Sequence, residues 1–238
     1  VGYTSAGTIE FLMDAERNYY FMEMNTRIQV EHCVTEMVTH TDLVGEMIRV
    51  AAGEPLSFSQ DDIVLRGHAI ECRICAEDTE NGFIPCPGII RQLTEPNGIG
   101  VRIDSYVYEG YEIPLYYDPM IGKLIVWATN RQFAIERMRR VLYEFKITGL
   151  KTNISYLRRI MYAPAFVKGE YDTSFLSKYS RSLQRSNGEN EEIENMAMIA
   201  AYVDYLFNLE ENSPVRTTDS RPISRWREFG LQKGVLRI

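Results

Sequence analysis

Two short apolar runs, IEFLM at residues 9–13 and YYFMEM at 19–24, flank the polar, turn-prone AERN of residues 15–18. So short a gap between two strand-like runs makes a β-hairpin the natural fold. Pairing across a four-residue loop sets 14 against 19, 12 against 21 and 10 against 23. Glu10 then faces Glu23. With the two-residue alternation of a strand, Ile9, Phe11, Met13, Tyr20, Met22 and Met24 fill one face, expected to be core, while Glu10, Leu12, Phe21 and Glu23 share the other. Directly opposed β-carbons lie roughly 4.5–5.5 Å apart, and at an effective dielectric near 20 two carboxylates there repel by about 3 kcal/mol. An oxygen-loving divalent cation would turn that repulsion into attraction, and Mg²⁺ is commonly held by one or two carboxylates plus substrate phosphates. Asn25 adds a carbonyl oxygen as ligand or orienter. The alternative is that the acids splay into water beside Arg17 and Arg27 as weak surface pairs.

The run EMNTRIQVEH at residues 23–32 packs acids, amides and an arginine together. Its β-branched Thr26, Ile28 and Val30 favour extension. Kept extended, Glu23, Asn25, Arg27, Gln29 and Glu31 project from one face and form a catalytic surface. The competing reading is a helix in which Arg27 and Glu31 make an i,i+4 ion pair worth roughly 0.3–0.5 kcal/mol.

The runs GTIEFL, EMNTRIQVEHCVTEM, GHAIECRICAED, YYDPMIGKLI and GLKTN, in this order, resemble the C-terminal half of biotin carboxylase over residues 1 to about 178. RIQVEH is the most specific of them. The resemblance implies the C-terminal half of an ATP-grasp domain, then a biotin carboxylase C-terminal domain. It implies an ATP-dependent ligase that uses bicarbonate, through carboxyphosphate, to carboxylate biotin on a carrier protein within an acyl-CoA or pyruvate carboxylase. In that family's terms Glu10, Glu23 and Asn25 hold the Mg²⁺ or Mn²⁺ that bridges the ATP phosphates, and Leu12 and Thr173 line the adenine pocket. Arg27 grips bicarbonate with its planar fork, Gln29 and the Val30 N–H contact bicarbonate or biotin, and Glu31 is the general base. Arg102 stands beside biotin, where a fixed charge stabilises the developing enolate oxygen. The implied partners are a biotin carboxyl carrier protein or domain, a carboxyltransferase subunit, plus a second copy in a homodimer of the full-length protein. The family's N-terminal domain, glycine-rich lid and phosphate-contacting lysines have no counterpart in these 238 residues, so the chain alone is expected to be inactive. A noncatalytic assembly module of a carboxylase complex, or another ATP-grasp carboxylate-amine ligase, are the other readings.

A net charge of −7 argues against nonspecific nucleic-acid binding, and no stretch approaches the roughly 18 apolar residues that span a bilayer. The chain begins at Val1 without an initiator methionine or targeting segment and reads as an excised fragment of a cytoplasmic protein, or of a matrix protein in a eukaryote. Cys72 and Cys75 sit three apart in a strand-like run and point to opposite faces, so they do not grip one metal. They and Cys33 and Cys86 are expected to be reduced structural thiols. The three histidines are not spaced like a zinc site, and His32, His68 and Lys123 are taken as structural or supporting.

The overall expectation is an α+β chain in three parts, 1–65, 66–178 and 179–238. Thr41 caps a helix over 42–52, strands follow at 66–76, 89–94, 99–108 and 122–128 in an antiparallel sheet, and Asn130 caps a helix to about 146. That helix carries a stripe of Phe133, Met138, Val141, Leu142 and Phe145, and shorter helices occupy 153–162 and 173–179. The last part begins as a polar linker. It continues as an apolar helix over 193–209, suited to docking on another domain or chain, and ends in a basic tail at 213–238.

Overall fold

A computed structural model of the chain describes residues 2–184 and 196–203, which fall in two compact units, Val1–Arg185 and Ser186–Ile238. In the first unit β1 (Thr8–Met13) and β2 (Tyr19–Asn25) form the expected hairpin, with Glu10 opposite Glu23. The connection is one residue longer than expected. Asp14 closes it by accepting the Asn18 backbone N–H at 2.8 Å and the Asn18 Nδ2 at 2.9 Å, and Arg17 takes φ of 67°. A register shift after Glu10 lets the ladder absorb that residue, so Phe11 pairs with Phe21 and Leu12 with Tyr20. The face expected to be core is open. Ile9, Phe11, Met13, Tyr20 and Met22 are each between 51% and 59% exposed, because a two-stranded ribbon cannot bury its own faces and no described element covers it.

Extension stops at Asn25. Backbone N–H groups of His32 and Val34 bond back to the carbonyls of Gln29 and Glu31, winding the chain into α1 (His32–Thr39) with Glu31 at the N-cap position. The β-branched residues do favour extension, but burial of Cys33 and Glu36 against the following sheet outweighs that local preference. The next helix, α2 (Leu43–Ala51), is capped by Asp42, whose carboxylate accepts the Gly45 N–H at 2.8 Å. The expected cap, Thr41, instead shares a hydrogen bond with the Thr39 hydroxyl.

β3 (His68–Cys75) opens the second half of the unit. Short strands β4 (Glu77–Asp78), β5 (Ile84–Pro85), β6 (Gly88–Ile89) and β7 (Gln92–Thr94) precede β8 (Val101–Ser105), β9 (Glu112–Ile113) and the long β10 (Met120–Ala128). Then come α3 (Arg131–Glu144), β11 (Lys146–Thr148), α4 (Ile154–Tyr162), α5 (Pro164–Lys168), which was not expected, and α6 (Phe175–Gln184). The main sheet is antiparallel in the order β3–β10–β8, with β4–β5, β6–β9 and β7–β11 as small outlying pairs.

Alternation gives this sheet two unlike faces. Cys72, Ile74, Leu124, Val126, Val101 and Ile103 pack into the main core with Met138, Val141 and Leu142 of α3 and Ile154 and Met161 of α4. α3 starts as expected on Asn130, which accepts the Phe133 N–H at 2.9 Å. Phe133 itself, expected in the apolar stripe, lies half-exposed, and Ala134 and Ile135 take the inward positions. The opposite face carries Glu71, Arg73, Lys123, Arg102 and Asp104 in two cross-strand rows, Glu71–Ile125–Arg102 and Arg73–Lys123–Asp104. α1 lies over it. Cys72 and Cys75 fall on opposite faces, free, with burial pushing both thiols up to about 12.

The sheet is locked to α4 through Asn153, a buried side chain that accepts the Cys75 N–H at 2.9 Å and donates to the Arg73 carbonyl at 3.0 Å. Asn153→Ala strands both backbone groups out of water, and urea unfolding is expected to show a loss of about 2–4 kcal/mol; a change under about 0.5 kcal/mol would contradict this. In the second unit residues 196–203 are helical, part of the apolar helix expected there; the rest of that helix, the polar linker after residue 184 and the basic tail lie outside the described residues.

Candidate active site

The hairpin acids converge on one nitrogen. Asn25, the last residue of β2, donates from Nδ2 to Glu10 Oε1 at 2.8 Å and to Glu23 Oε1 at 3.3 Å. Its Oδ1 accepts from Arg27 Nη2 at 3.3 Å, and Arg27 Nη1 reaches Gln29 Oε1 at 2.8 Å and the Ile28 carbonyl at 3.3 Å. The two acids, Asn25, Arg27 and Gln29 thus form one hydrogen-bonded line, although only the first three lie on strands. Neither a shared strand face for all five residues 23–31 nor an Arg27–Glu31 pair is present. Among the described residues Arg27 bonds only neutral groups, while Glu31 turns away to Arg73, Oε2 to Nη2 at 2.8 Å with both side chains more than half exposed.

Below the turn, the charged sheet face and α1 interlock. Arg102 sets Nε and Nη2 on the two oxygens of Asp104 at 2.7 and 2.9 Å, while Nη1 meets Glu36 Oε2 at 2.6 Å. Glu36 is 8% exposed and fixed in turn by the Leu43 N–H at 2.8 Å. This fork holds the Asp104 carboxyl well below the usual carboxylate range, and Arg102 rises above its own. Lys123 stands in the centre, 3.3 Å from Asp104, and donates to the Val30 carbonyl at 3.3 Å, tying the turn to β10. His32 Nδ1 fixes the same turn through the Gln29 carbonyl at 2.8 Å. Leu12 is exposed on the hairpin opposite Tyr20, and Thr173 is exposed ahead of α6.

The sequence model of the Biotin carboxylase C-terminal domain matches residues 71–178, and that of the Carbamoyl-phosphate synthase L chain, ATP binding domain, matches residues 1–59. A biotin carboxylase of Nostoc sp. is 58% identical over 181 residues, 76% of this chain and 40% of that protein. Biotin carboxylase 1 of Bacillus subtilis is 54% identical over 180 residues, 75% of this chain and 40% of that protein. Among solved structures, the biotin carboxylase domain dimer of Hydrogenobacter thermophilus 2-oxoglutarate carboxylase, in complex with MgADP, ADP and bicarbonate, superimposes with a TM-score of 0.74 at 48% identity. It matches over 78% of this chain and 41% of that one. The chain belongs to the biotin carboxylase family. It spans two fifths of the length of these two curated relatives.

As a member of that family, the chain has the expected fold, an ATP-grasp portion followed by a biotin carboxylase C-terminal domain. Glu36, Glu71, Arg73 and Asp104 were not anticipated as neighbours of the turn. For Glu71, Arg73 and Asp104 the signal lay in the alternation of ECRI and VRIDS, where a charge recurs every second residue of otherwise apolar strands; Glu36, on α1, had no such signal. Glu71 stands out among the described residues. Its Oε2 is buried without a hydrogen-bond partner, and burial raises its pKa against the opposing pull of Lys123, Arg73 and His32, with Glu31 adding to the rise. A carboxyl raised in the folded state stabilises the fold most below its unfolded value of 4.5 and withdraws that stability as pH climbs through the folded value. Glu71→Gln, which mimics the neutral acid, is therefore expected to be more stable than the parent at pH 8 and equal to it near pH 4, read by urea unfolding. A gap that is constant with pH would refute the assignment.

Proposed function

We propose that the full-length protein is an ATP-dependent biotin carboxylase, and that this chain supplies its metal-binding acids, its anion-binding turn and its biotin-side arginine. The observation that carries the reading is the hydrogen-bonded line from Glu10 and Glu23 to Gln29, set above a sheet face on which Arg102 is held rigid. The bicarbonate and MgADP bound in the Hydrogenobacter neighbour support bicarbonate, ATP and Mg²⁺ as ligands here. Biotin on a carrier protein, a carboxyltransferase partner, a homodimer and a cytoplasmic or matrix setting complete the proposal, with domain limits at 1–65, 66–178 and 179–238.

Glu10, Glu23 and Asn25 fit a hard cation. They present oxygen donors on adjacent strands, and the amide now bridging the acids can offer Oδ1 once its Nδ2 is released. When bound, Mg²⁺ or Mn²⁺ neutralises charge on the ATP phosphates and aligns them for transfer. Arg27, paired with no acid among the described residues, brings a planar fork to the edge of bicarbonate, which Gln29 and Val30 border. Glu31 takes the bicarbonate proton; its exposed pair with Arg73 is weak enough to open when that proton arrives. Arg102 keeps N–H groups free on both terminal nitrogens for the ureido oxygen of biotin, while Leu12 and Thr173 line the adenine pocket.

Glu31→Gln in the full-length protein tests the assignment. The variant is expected to fold and bind ATP normally while bicarbonate-dependent ATP cleavage falls by about 10²–10⁴, the usual range for loss of a positioned base. Unchanged turnover would sink the reading.

A further inference from the structure

We propose that His32, Cys33 and Asp104 form a binding site for Zn²⁺ or a metal of similar softness, filled at rest by the ammonium group of Lys123. The site is separate from the paired acids of the hairpin, although His32 and Lys123 also hold the turn and Asp104 also holds Arg102. Among the described residues, one nitrogen, one sulfur and one oxygen from these three side chains all lie within 4.8 Å of one another.

The histidine is already set for coordination. Its Nδ1 lies 2.8 Å from the Gln29 carbonyl, which can only accept, so Nδ1 carries the proton and Nε2 keeps its lone pair, 3.6 Å from Cys33 Sγ. Metal-bound histidines are oriented by a second hydrogen bond of this kind. Cys33 Sγ stands 3.1 Å from Asp104 Oδ2. With Zn–S near 2.3 Å and Zn–N or Zn–O near 2.0–2.1 Å, two ligands of a tetrahedral ion lie roughly 3.3–3.6 Å apart. The sulfur–nitrogen edge needs no adjustment and the sulfur–oxygen edge opens by a few tenths of an ångström. A donor set of imidazole, thiolate and one carboxylate oxygen selects a borderline-soft ion, in contrast to the all-oxygen hairpin pair.

Lys123 stands against two of the three ligands. Its Nζ sits 2.9 Å from Cys33 Sγ and 3.3 Å from Asp104 Oδ2, so a positive charge already rests on the sulfur and the oxygen that a divalent ion would take. On metal binding the S–H bond breaks, its proton leaves to solvent, bonds to Sγ, Nε2 and Oδ2 form, and the ammonium withdraws along its flexible stem. Asp104 Oδ1 stays with Arg102 Nε. Withdrawal also frees the Val30 carbonyl, which Lys123 holds at 3.3 Å, so occupancy bears directly on the turn that carries Gln29 and Val30.

The experiment is a titration of the reduced 238-residue chain with Co²⁺, followed by displacement with Zn²⁺, with far-ultraviolet circular dichroism confirming the fold of each variant. The expected result is one equivalent of Co²⁺ with a thiolate-to-cobalt absorption band, absent in Cys33→Ser and weakened at least tenfold in His32→Asn, a shift of about 1.4 kcal/mol or more. Lys123→Met removes the competing charge and is expected to tighten binding about tenfold. No thiolate band in the parent, or a band of equal strength in Cys33→Ser, overturns the site. If Cys33→Ser does not fold, the other two variants decide: affinity unchanged in either of them overturns it as well.

Discussion

Replacing Arg102 by alanine is expected to destabilise the chain by about 2–3 kcal/mol, short of the roughly 3–5 kcal/mol seen for fully buried ion pairs because about a third of Arg102 and Asp104 still meets water. The loss arises less from attraction forgone than from what is left behind. Glu36, 8% exposed, would keep only the Leu43 N–H as partner, and Asp104 would keep Lys123 and the Cys33 thiol. The double variant Arg102→Ala with Glu36→Gln is therefore expected to recover most of the loss, since it no longer strands a buried charge. Arg102→Lys should fall between, because an ammonium cannot span Glu36 and both oxygens of Asp104. Urea unfolding of the four proteins tests this; a double variant no better than Arg102→Ala alone would show that the fork is not what the fold depends on. On the proposed function, Arg102→Ala in the full-length protein is expected to depress kcat/KM for biotin while leaving the KM for ATP unchanged.

How much of this was legible in the sequence differs between the two halves of the site. The opposition of Glu10 and Glu23 could be read from two apolar runs and a short gap, and it holds because the register shift after Glu10 offsets the extra loop residue. The register beyond them could not, since it turned on one extra loop residue held by Asp14 and a compensating shift after Glu10. The path after Asn25 escapes a local reading for a related reason. β-branched residues announce a local preference, but the helix starting at His32 is decided by Cys33 and Glu36 burying against strands more than sixty residues away. Arg102 is picked out by resemblance alone. Its physical setting, two acids on different elements closing around one guanidinium, exists only once β8 and α1 are in contact. The alternation of charges in β3 and β8 was visible from the start, yet period-two charge on an internal sheet usually signals a face in water. Here it signals a face covered by α1, which meets the charges with Cys33 and Glu36.

The largest effect on chemistry is expected at the hairpin, and its two consequences have opposite signs. Glu23 is exposed and Glu10 only partly buried, so their repulsion lies nearer the 1 kcal/mol of unit charges about 4 Å apart in water than the 3 kcal/mol of a less polar setting. Asn25 Nδ2, donating to both, offsets part of that remainder. Without divalent metal, Glu23→Gln is thus expected to leave the hairpin as stable as the parent or up to about 1 kcal/mol more so, with the gain shrinking as salt is added. With Mg²⁺ and ATP supplied to the full-length protein, the same change removes half of the carboxylate charge that holds the ion against the phosphates. Loss of several kcal/mol of transition-state charge stabilisation corresponds to a fall in ATP cleavage of about 10³ or more. A merely structural acid would behave the other way, destabilising the metal-free hairpin when neutralised and leaving turnover per folded molecule intact. Metal-free unfolding and Mg²⁺-dependent ATP cleavage, measured on Glu10→Gln and Glu23→Gln alike, separate the two. Equal turnover in parent and variants would remove the metal from these acids, whatever happened to stability.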